Sequence, residues 1–446
     1  MAVETPPANE VPRTLAAGPP PRLLGLWDQT SLWANLGISL LLLVAAAFVL
    51  QPDPSLPPLS LAAGLVAIVV GAVVGNAWLA LAAAPGADTG APAMVLVRGL
   101  LGRRGSWAPT VLNVAQNLGW AWVEIVVIAE SAARLTRPSL RPCWVLAAGV
   151  LGTLMAIRPL GVVRGFLKKV AVWAIIASTA YLLFEVMRHA HPGFAHGSWS
   201  AFWKGADLVI ALPISWAPLA ADYSRHSRSA RAAFGGAFIG YGAATIAFFV
   251  LGLLATAADP KGDAIATVLA IPVGSVALLI LVLDELDEVF ANIYSTVVSI
   301  QNIGPRIDRR VMAVVVGAVS TVLALRFHNW QYYENFLLLI GSVFVPLFAT
   351  FIVDYYVFHR GRWDVSDAAR PRWEMLVPWA AGFVAYQLIN PGFVGWWSRW
   401  WIARQHNLHF TPPTWTSASL ISFAVAGVLA FAIGRVRARS GTTPRA

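Results

Sequence analysis

Residues 283–295 read LDELDEVFANIYS. Four carboxylates, Asp284, Glu285, Asp287 and Glu288, stand there in an otherwise apolar stretch. Residues 273–283 before them and 289–303 after them carry no other charge. In a bilayer each ionised carboxylate costs roughly 2.5–3.5 kcal/mol on insertion scales, so such groups persist where they line a cavity, pair, or move something. One arrangement places Asp284 and Glu285 at a membrane surface with only the later residues deep. It does not account for Glu288, one turn before Asn292 in the middle of the run.

The rest of the chain puts this stretch in a membrane. Of 446 residues, 58% are hydrophobic and 12% charged, and mean hydropathy is +0.65. Soluble domains carry about 25% charged residues. The single cysteine, Cys143, excludes an internal disulfide and a metal site built on cysteine pairs. A net charge of +10 could point to nucleic acid, but the basic residues sit in short loops between apolar runs, so topology explains them and no nucleic-acid partner is implied. Residues 1–21 are Pro-rich with no apolar signal core, so residues 1–25 are expected to be a disordered cytoplasmic tail.

Twelve apolar runs follow: 31–50, 60–84, 109–133, 143–157, 166–187, 206–221, 234–257, 268–303, 311–326, 334–357, 376–390 and 415–434. With the N-terminus inside, most of the 32 Lys and Arg fall on the inner side, which predicts both termini in the cytoplasm. Runs one and six read as interrupted helices. Run one carries Asn35 and Gly37, and run six carries Pro213 and Pro218. Paired interruptions at matching positions point to a transporter's binding site; an ordinary proline kink in a packed helix is the alternative for run six.

Run three has a polar stripe, Asn113, Asn117, Trp120 and Glu124, on one helix face. A tryptophan beside two amides and a carboxylate suits a flat heteroaromatic ligand. The same spacing also suits a helix seam joined by amide hydrogen bonds. Run eight aligns Asp284, Glu288, Asn292, Ser295, Ser299 and Asn302, with Asp287 beside them. Four other features read as ordinary: PGADTG at 85–90 as a turn, His189, His191 and His196 as loop residues, Arg225, Arg228 and Arg231 as inner-surface anchors, and Trp396, Trp397, Trp400 and Trp401 as an interfacial belt. No phosphate-binding loop and no nucleophile–base pair is present, so the chain does not read as an ATP-driven pump or an enzyme.

GADTG (86–90), GSWAP (105–109), QNLGW (116–120), ADYSRHSR (221–228), ANIYSTVVSIQN (291–302) and VDYYVFHRGRWD (353–364) occur in this order. In these motifs the chain resembles the nucleobase–cation symporter family of cytosine permeases and hydantoin transporters, and within it the CytX branch of hydroxymethylpyrimidine transporters. The resemblance implies an all-α polytopic membrane protein of about 12 transmembrane helices. It implies a LeuT-type 5+5 inverted repeat over residues 26–358, two additional helices over 359–434 and a cytoplasmic tail over 435–446. Substrate is then expected between runs one, three, six and eight. By motif, Trp120 stacks on the ring, Asn117 takes the place of the cytosine permease amide, Glu124 that of a hydantoin-binding glutamine, and Asn292 that of an amide in run eight. Trp216 stands about one turn from the position of a run-six aromatic. Sodium-coupled relatives carry two hydroxyl residues in run eight that ligate the ion with run-one carbonyls. Asp287 and Glu288 stand at those positions here, with Gly37 at the run-one interruption, so either Na+ or H+ is the expected coupling ion. The expectation is a secondary importer of a small planar heterocycle in the bacterial inner membrane. Hydroxymethylpyrimidine comes first and cytosine second, and another nucleobase, a hydantoin, a thiamine-related compound or an uncoupled facilitator are the alternatives. An amino-acid carrier fits poorly, because Glu124 would repel the substrate carboxylate.

Overall fold

Each of the twelve predicted runs contains helix. The computed structural model describes residues 13–157, 172–189, 197–258, 264–327, 333–359 and 361–439. The helices are α1 (Leu26–Leu36), α2 (Leu40–Leu50), α3 (Leu61–Thr89), α4 (Ala93–Gly105), α5 (Trp107–Leu135), α6 (Arg141–Ile157), α7 (Val172–His189), α8 (Phe202–Ser224) and α9 (Ala230–Ala258). They continue with α10 (Ala264–Ala270), α11 (Gly274–Asp284), α12 (Leu286–Ile303), α13 (Arg309–Arg326), α14 (Tyr333–Ile352), α15 (Leu376–Ile389), α16 (Gly395–Asn407) and α17 (Ala418–Arg439). Among the described residues, six helices are long and apolar enough to cross a membrane, or seven if α1 and α2 form one span. Length and composition therefore count fewer crossings than the twelve expected.

Run one is broken. α1 and α2 meet at 63° across Gly37, Ile38 and Ser39. A β-carbon on Gly37 would lie 2.8 Å from Ala244 Cβ and 3.1 Å from Tyr241 O, so glycine lets the break press against α9. There α9 makes a π-helical turn, Ala237–Tyr241. Ser39 then caps α2, its hydroxyl accepting from Leu41 N–H at 3.0 Å.

Run six is not broken, contrary to the sequence expectation. α8 is one continuous helix with Pro213 and Pro218 inside it. Neighbouring helices make this tolerable. Gln116 Nε2 donates to Ser215 O at 3.0 Å, and Asn113 Nδ2 donates to Pro218 O at 3.1 Å, so α5 supplies donors beside the prolines. On the other side α3 packs close through small residues. A β-carbon on Gly71 would meet Ala206 O at 2.7 Å, and one on Gly75 would meet the Pro213 ring at 3.1 Å.

Run eight is three helices, α10, α11 and α12, and Glu285 stands between the last two. The 13-residue helices α4 and α16 were not expected from the apolar runs. α16 carries the tryptophan group, of which Trp396 is exposed and Trp401 buried. α17 is tied to the core through buried Asp207 of α8, which accepts from Ala418 N–H at 2.7 Å and Ser419 N–H at 3.2 Å. Residues 13–25, expected in a disordered tail, are held against the bundle. Arg13 O accepts from Gln301 Nε2 at 2.8 Å and Arg309 N–H at 2.9 Å, and Leu24 N–H donates to His226 O at 2.9 Å. Residues 1–12, the basic positions between 158 and 169, His191 and His196 lie outside the described residues.

Asn113 also donates to Ser299 Oγ at 2.8 Å, so one side chain joins α5, α8 and α12. Asn113→Ala removes these bonds and the Oδ1 that accepts from Gln116 Nε2 at 2.8 Å. It is expected to cost about 1–3 kcal/mol, read as a lower unfolding temperature of the purified protein, with Gln116→Ala smaller in effect.

Candidate functional site

The break in run one opens beside a buried cavity. α2 contributes Ser39, Leu41 and Leu42, α5 Trp120 and Glu124, α8 Leu212, Ser215, Trp216 and Leu219, the π turn Tyr241, and α12 Glu288 and Asn292. A water-sized sphere has only about 20 Å³ in which to move, so the cavity has room for about one water as it stands. Its aromatic walls are braced from behind. Trp216 meets Trp33 at 6.1 Å and Tyr241 at 5.8 Å between ring centres, and Trp120 meets Phe336 at 5.1 Å. Both cavity tryptophans are 6% exposed.

Five carboxyl side chains surround the break, and all are buried: Glu124, Asp284, Glu285, Asp287 and Glu288. Asp284 and Glu285 are thus enclosed by protein and not exposed on its surface. Asn35, the penultimate residue of α1, donates through Nδ2 to Asp284 Oδ1 and to Asp287 Oδ2, each at 2.7 Å. Glu285 accepts from Ser39 Oγ–H at 2.7 Å and from Leu40 N–H at 2.9 Å. The Glu285 carboxyl also lies close to that of Glu124. Among the described residues, no ion pair involves any of the five. Asp284 Oδ2, Asp287 Oδ1 and Asn35 Oδ1 are buried with no hydrogen-bond partner. Oxygen acceptors without donors suit a hard cation or protons.

The predicted site residues thus divide. Trp120, Glu124, Trp216, Glu288 and Asn292 line the one cavity. Asn292 Nδ2 donates to Glu288 O in its own helix at 3.0 Å. Asp287 faces Asn35 instead, and Gly37 forms the break itself without lining the cavity. Asn117 is fully buried outside the lining, and neither of its amide atoms has a partner. An unsatisfied buried amide costs about 1–3 kcal/mol, which a water or a ligand that reached it would relieve. The sequence did not single out Ser39, Tyr241 or the role of Glu285. Ser39 carried a signal, a capping residue directly before an apolar run. Tyr241 and Glu285 are placed by contacts distant in sequence and carried none.

A broken helix bordering a polar-edged cavity within a bundle of long apolar helices is the build of a multi-pass membrane protein. The family follows from comparison with known proteins. The chain belongs to the permeases for cytosine/purines, uracil, thiamine and allantoin, which match it over residues 21–374. It is 24% identical over 319 residues to the cytosine permease of Escherichia coli K12, covering 69% of this chain and 74% of that one. It is 23% identical over 329 residues to the Bacillus subtilis protein YxlA, which carries a purine-cytosine permease name, covering 67% and 70%. The structure of Mhp1, a nucleobase-cation-symport-1 transporter in a closed conformation with bromovinylhydantoin bound, matches with a TM-score of 0.73 at 16% identity, covering 99% of this chain and 97% of that one. A Na+-coupled sialic acid symporter matches with a TM-score of 0.56 at 10% identity over 93% and 90%. The fold is therefore the one these transporters share, and the family is one of permeases, not enzymes.

Asn35 is the link from α1 to two buried aspartates. Asn35→Ala leaves both without their donor and is expected to cost about 2–4 kcal/mol, seen as a lower unfolding temperature. Asn35→Asp should be at least as harmful, because it adds a sixth carboxyl to the group.

Proposed function

We propose that the protein is a secondary active transporter that takes up a small planar pyrimidine-like compound across the bacterial inner membrane, with both termini in the cytoplasm. Hydroxymethylpyrimidine is the first candidate and cytosine the second. The observation that carries this proposal is the meeting of Trp120 and Trp216 in one cavity edged by Glu124, Glu288 and Asn292. Braced tryptophans offer a face on which a flat ring stacks. In this account Trp120 stacks on the ring, Glu124 and Asn292 bond its edge, and Asn117 waits behind them for a polar atom or a water. Acidic edges favour donor-rich ligands such as aminopyrimidines.

The coupling ion is proposed to be H+ or Na+, with Asp287 and Glu288 next to the Gly37 break as the coupling groups. The closeness of the Glu124 and Glu285 carboxyls supports this, because it brings the substrate cavity next to the acidic group at the break. Substrate bound at Glu124 would then alter the hydrogen bonding of Glu285, and through it the hinge of α1 and α2. Rocking of one helix bundle against the other would complete alternating access.

The test is uptake of labelled hydroxymethylpyrimidine, cytosine, thiamine and hydantoins into proteoliposomes, with sodium and proton gradients imposed separately. Accumulation above the equilibrium level is expected under one of the two gradients. Uptake that never exceeds equilibrium would make the protein a facilitator, and failure to bind any planar heterocycle would remove the substrate class. Trp120→Ala should weaken binding roughly 5- to 100-fold, the loss of one stacked base being about 1–3 kcal/mol.

A further inference from the structure

The first turn of α2 is a place where transporters of this architecture receive anions. The opening N–H groups of a helix have no partner within it and carry partial positive charge. In a transporter with a broken helix such a half-helix start points at anionic substrate groups, among them the substrate carboxylate of LeuT. Here α2 is an 11-residue helix starting at the break, and Ser39, Leu41 and Leu42 border the cavity. A carboxylate does sit at this start, but it belongs to the chain. Glu285, 1% exposed, accepts from Ser39 Oγ–H and Leu40 N–H, and the Ser39 hydroxyl also accepts from Leu41 N–H.

The cavity itself points the same way. Among the described residues its lining contains Glu124 and Glu288 and no Lys, Arg or His. Glu124 Oε2 is buried with no hydrogen-bond partner. An anionic ligand would meet two acidic groups, and the donors of Ser39 and Leu40 would already be taken.

We propose that Glu285 is a specificity-determining residue, a tethered carboxylate that fills the anion position at the run-one break and restricts the site to planar heterocycles without a carboxylate. This rests on the cavity being the heterocycle site. Removing the side chain frees the Leu40 N–H and the Ser39 hydroxyl for a ligand anion, and removing only its charge weakens the repulsion.

Two matched pairs of probes test this on the purified full-length protein, with binding read from quenching of tryptophan fluorescence. One is hydroxymethylpyrimidine against 4-amino-2-methylpyrimidine-5-carboxylate, the other cytosine against cytosine-5-carboxylate. In the wild type the uncharged member of a pair is expected to bind at least roughly 30-fold more tightly than the acid. Glu285→Ala should narrow that ratio by roughly tenfold or more through gained affinity for the acid, and Glu285→Gln by a smaller factor in the same direction. Glu285→Asp, which keeps the charge, should still reject the acid. Wild-type protein that binds acid and uncharged member equally overturns the proposal. So does an unchanged ratio in a variant that still binds the uncharged member. If Glu285→Ala does not fold, Glu285→Gln decides, since it preserves an acceptor for Leu40 N–H. If neither uncharged compound binds wild type, the heterocycle site itself is wrong and the proposal falls with it, an outcome distinct from an unchanged ratio.

Discussion

A helix cannot stop at membrane depth unless something satisfies the backbone it leaves open. At the break between α1 and α2 that need is met by side chains of run eight. Glu285 takes the Leu40 N–H and the Ser39 hydroxyl, and Asn35 reaches back from α1 to Asp284 and Asp287. The arrangement constrains both partners. Run one must bend where Gly37 allows close contact with α9, and run eight must divide at Glu285 so that carboxylates from both of its halves face one point. Asp287 and Glu288 then fall in the first turn of α12, where negative charge is favoured by the helix start.

The same elements build the cavity. α2 lends its first turn, α12 lends Glu288 and Asn292, and α5 brings Trp120 and Glu124 across from the other side. The closeness of Glu124 and Glu285 brings the ligand cavity next to the acidic group at the break. In a transporter, ion and substrate must each sense whether the other is bound, and a shared carboxyl pair at a hinge is a short physical route for that. α8 stays one continuous helix through its two prolines, with α3 packed against it and α5 side chains bonded to its backbone.

Much of the fold was legible in the sequence because the bilayer enforces long apolar runs, and each run contains helix. The break in run one was legible too, since Asn35 and Gly37 interrupt an otherwise apolar run. Run six was misread for a related reason. Pro213 and Pro218 remove donors locally, but the Asn113 and Gln116 side chains beside them come from about 100 positions away in the chain. The run-three stripe was visible as a face, but its division was not. Asn113 is part of a seam, Asn117 is buried without a partner, and only Trp120 and Glu124 reach the cavity. Likewise the acidic stretch was conspicuous, while the place of Asp284 and Glu285 depended on a partner, Asn35, some 250 residues earlier.

The most direct measurement is an experimental structure of the full-length protein with hydroxymethylpyrimidine or cytosine bound. Density for a flat ring is expected against the face of Trp120, between it and Trp216, with polar edges toward Glu124 and Asn292 and with Glu285 still on the Leu40 N–H. A ligand bound elsewhere, or a ring that leaves both tryptophans uncontacted, would contradict the account.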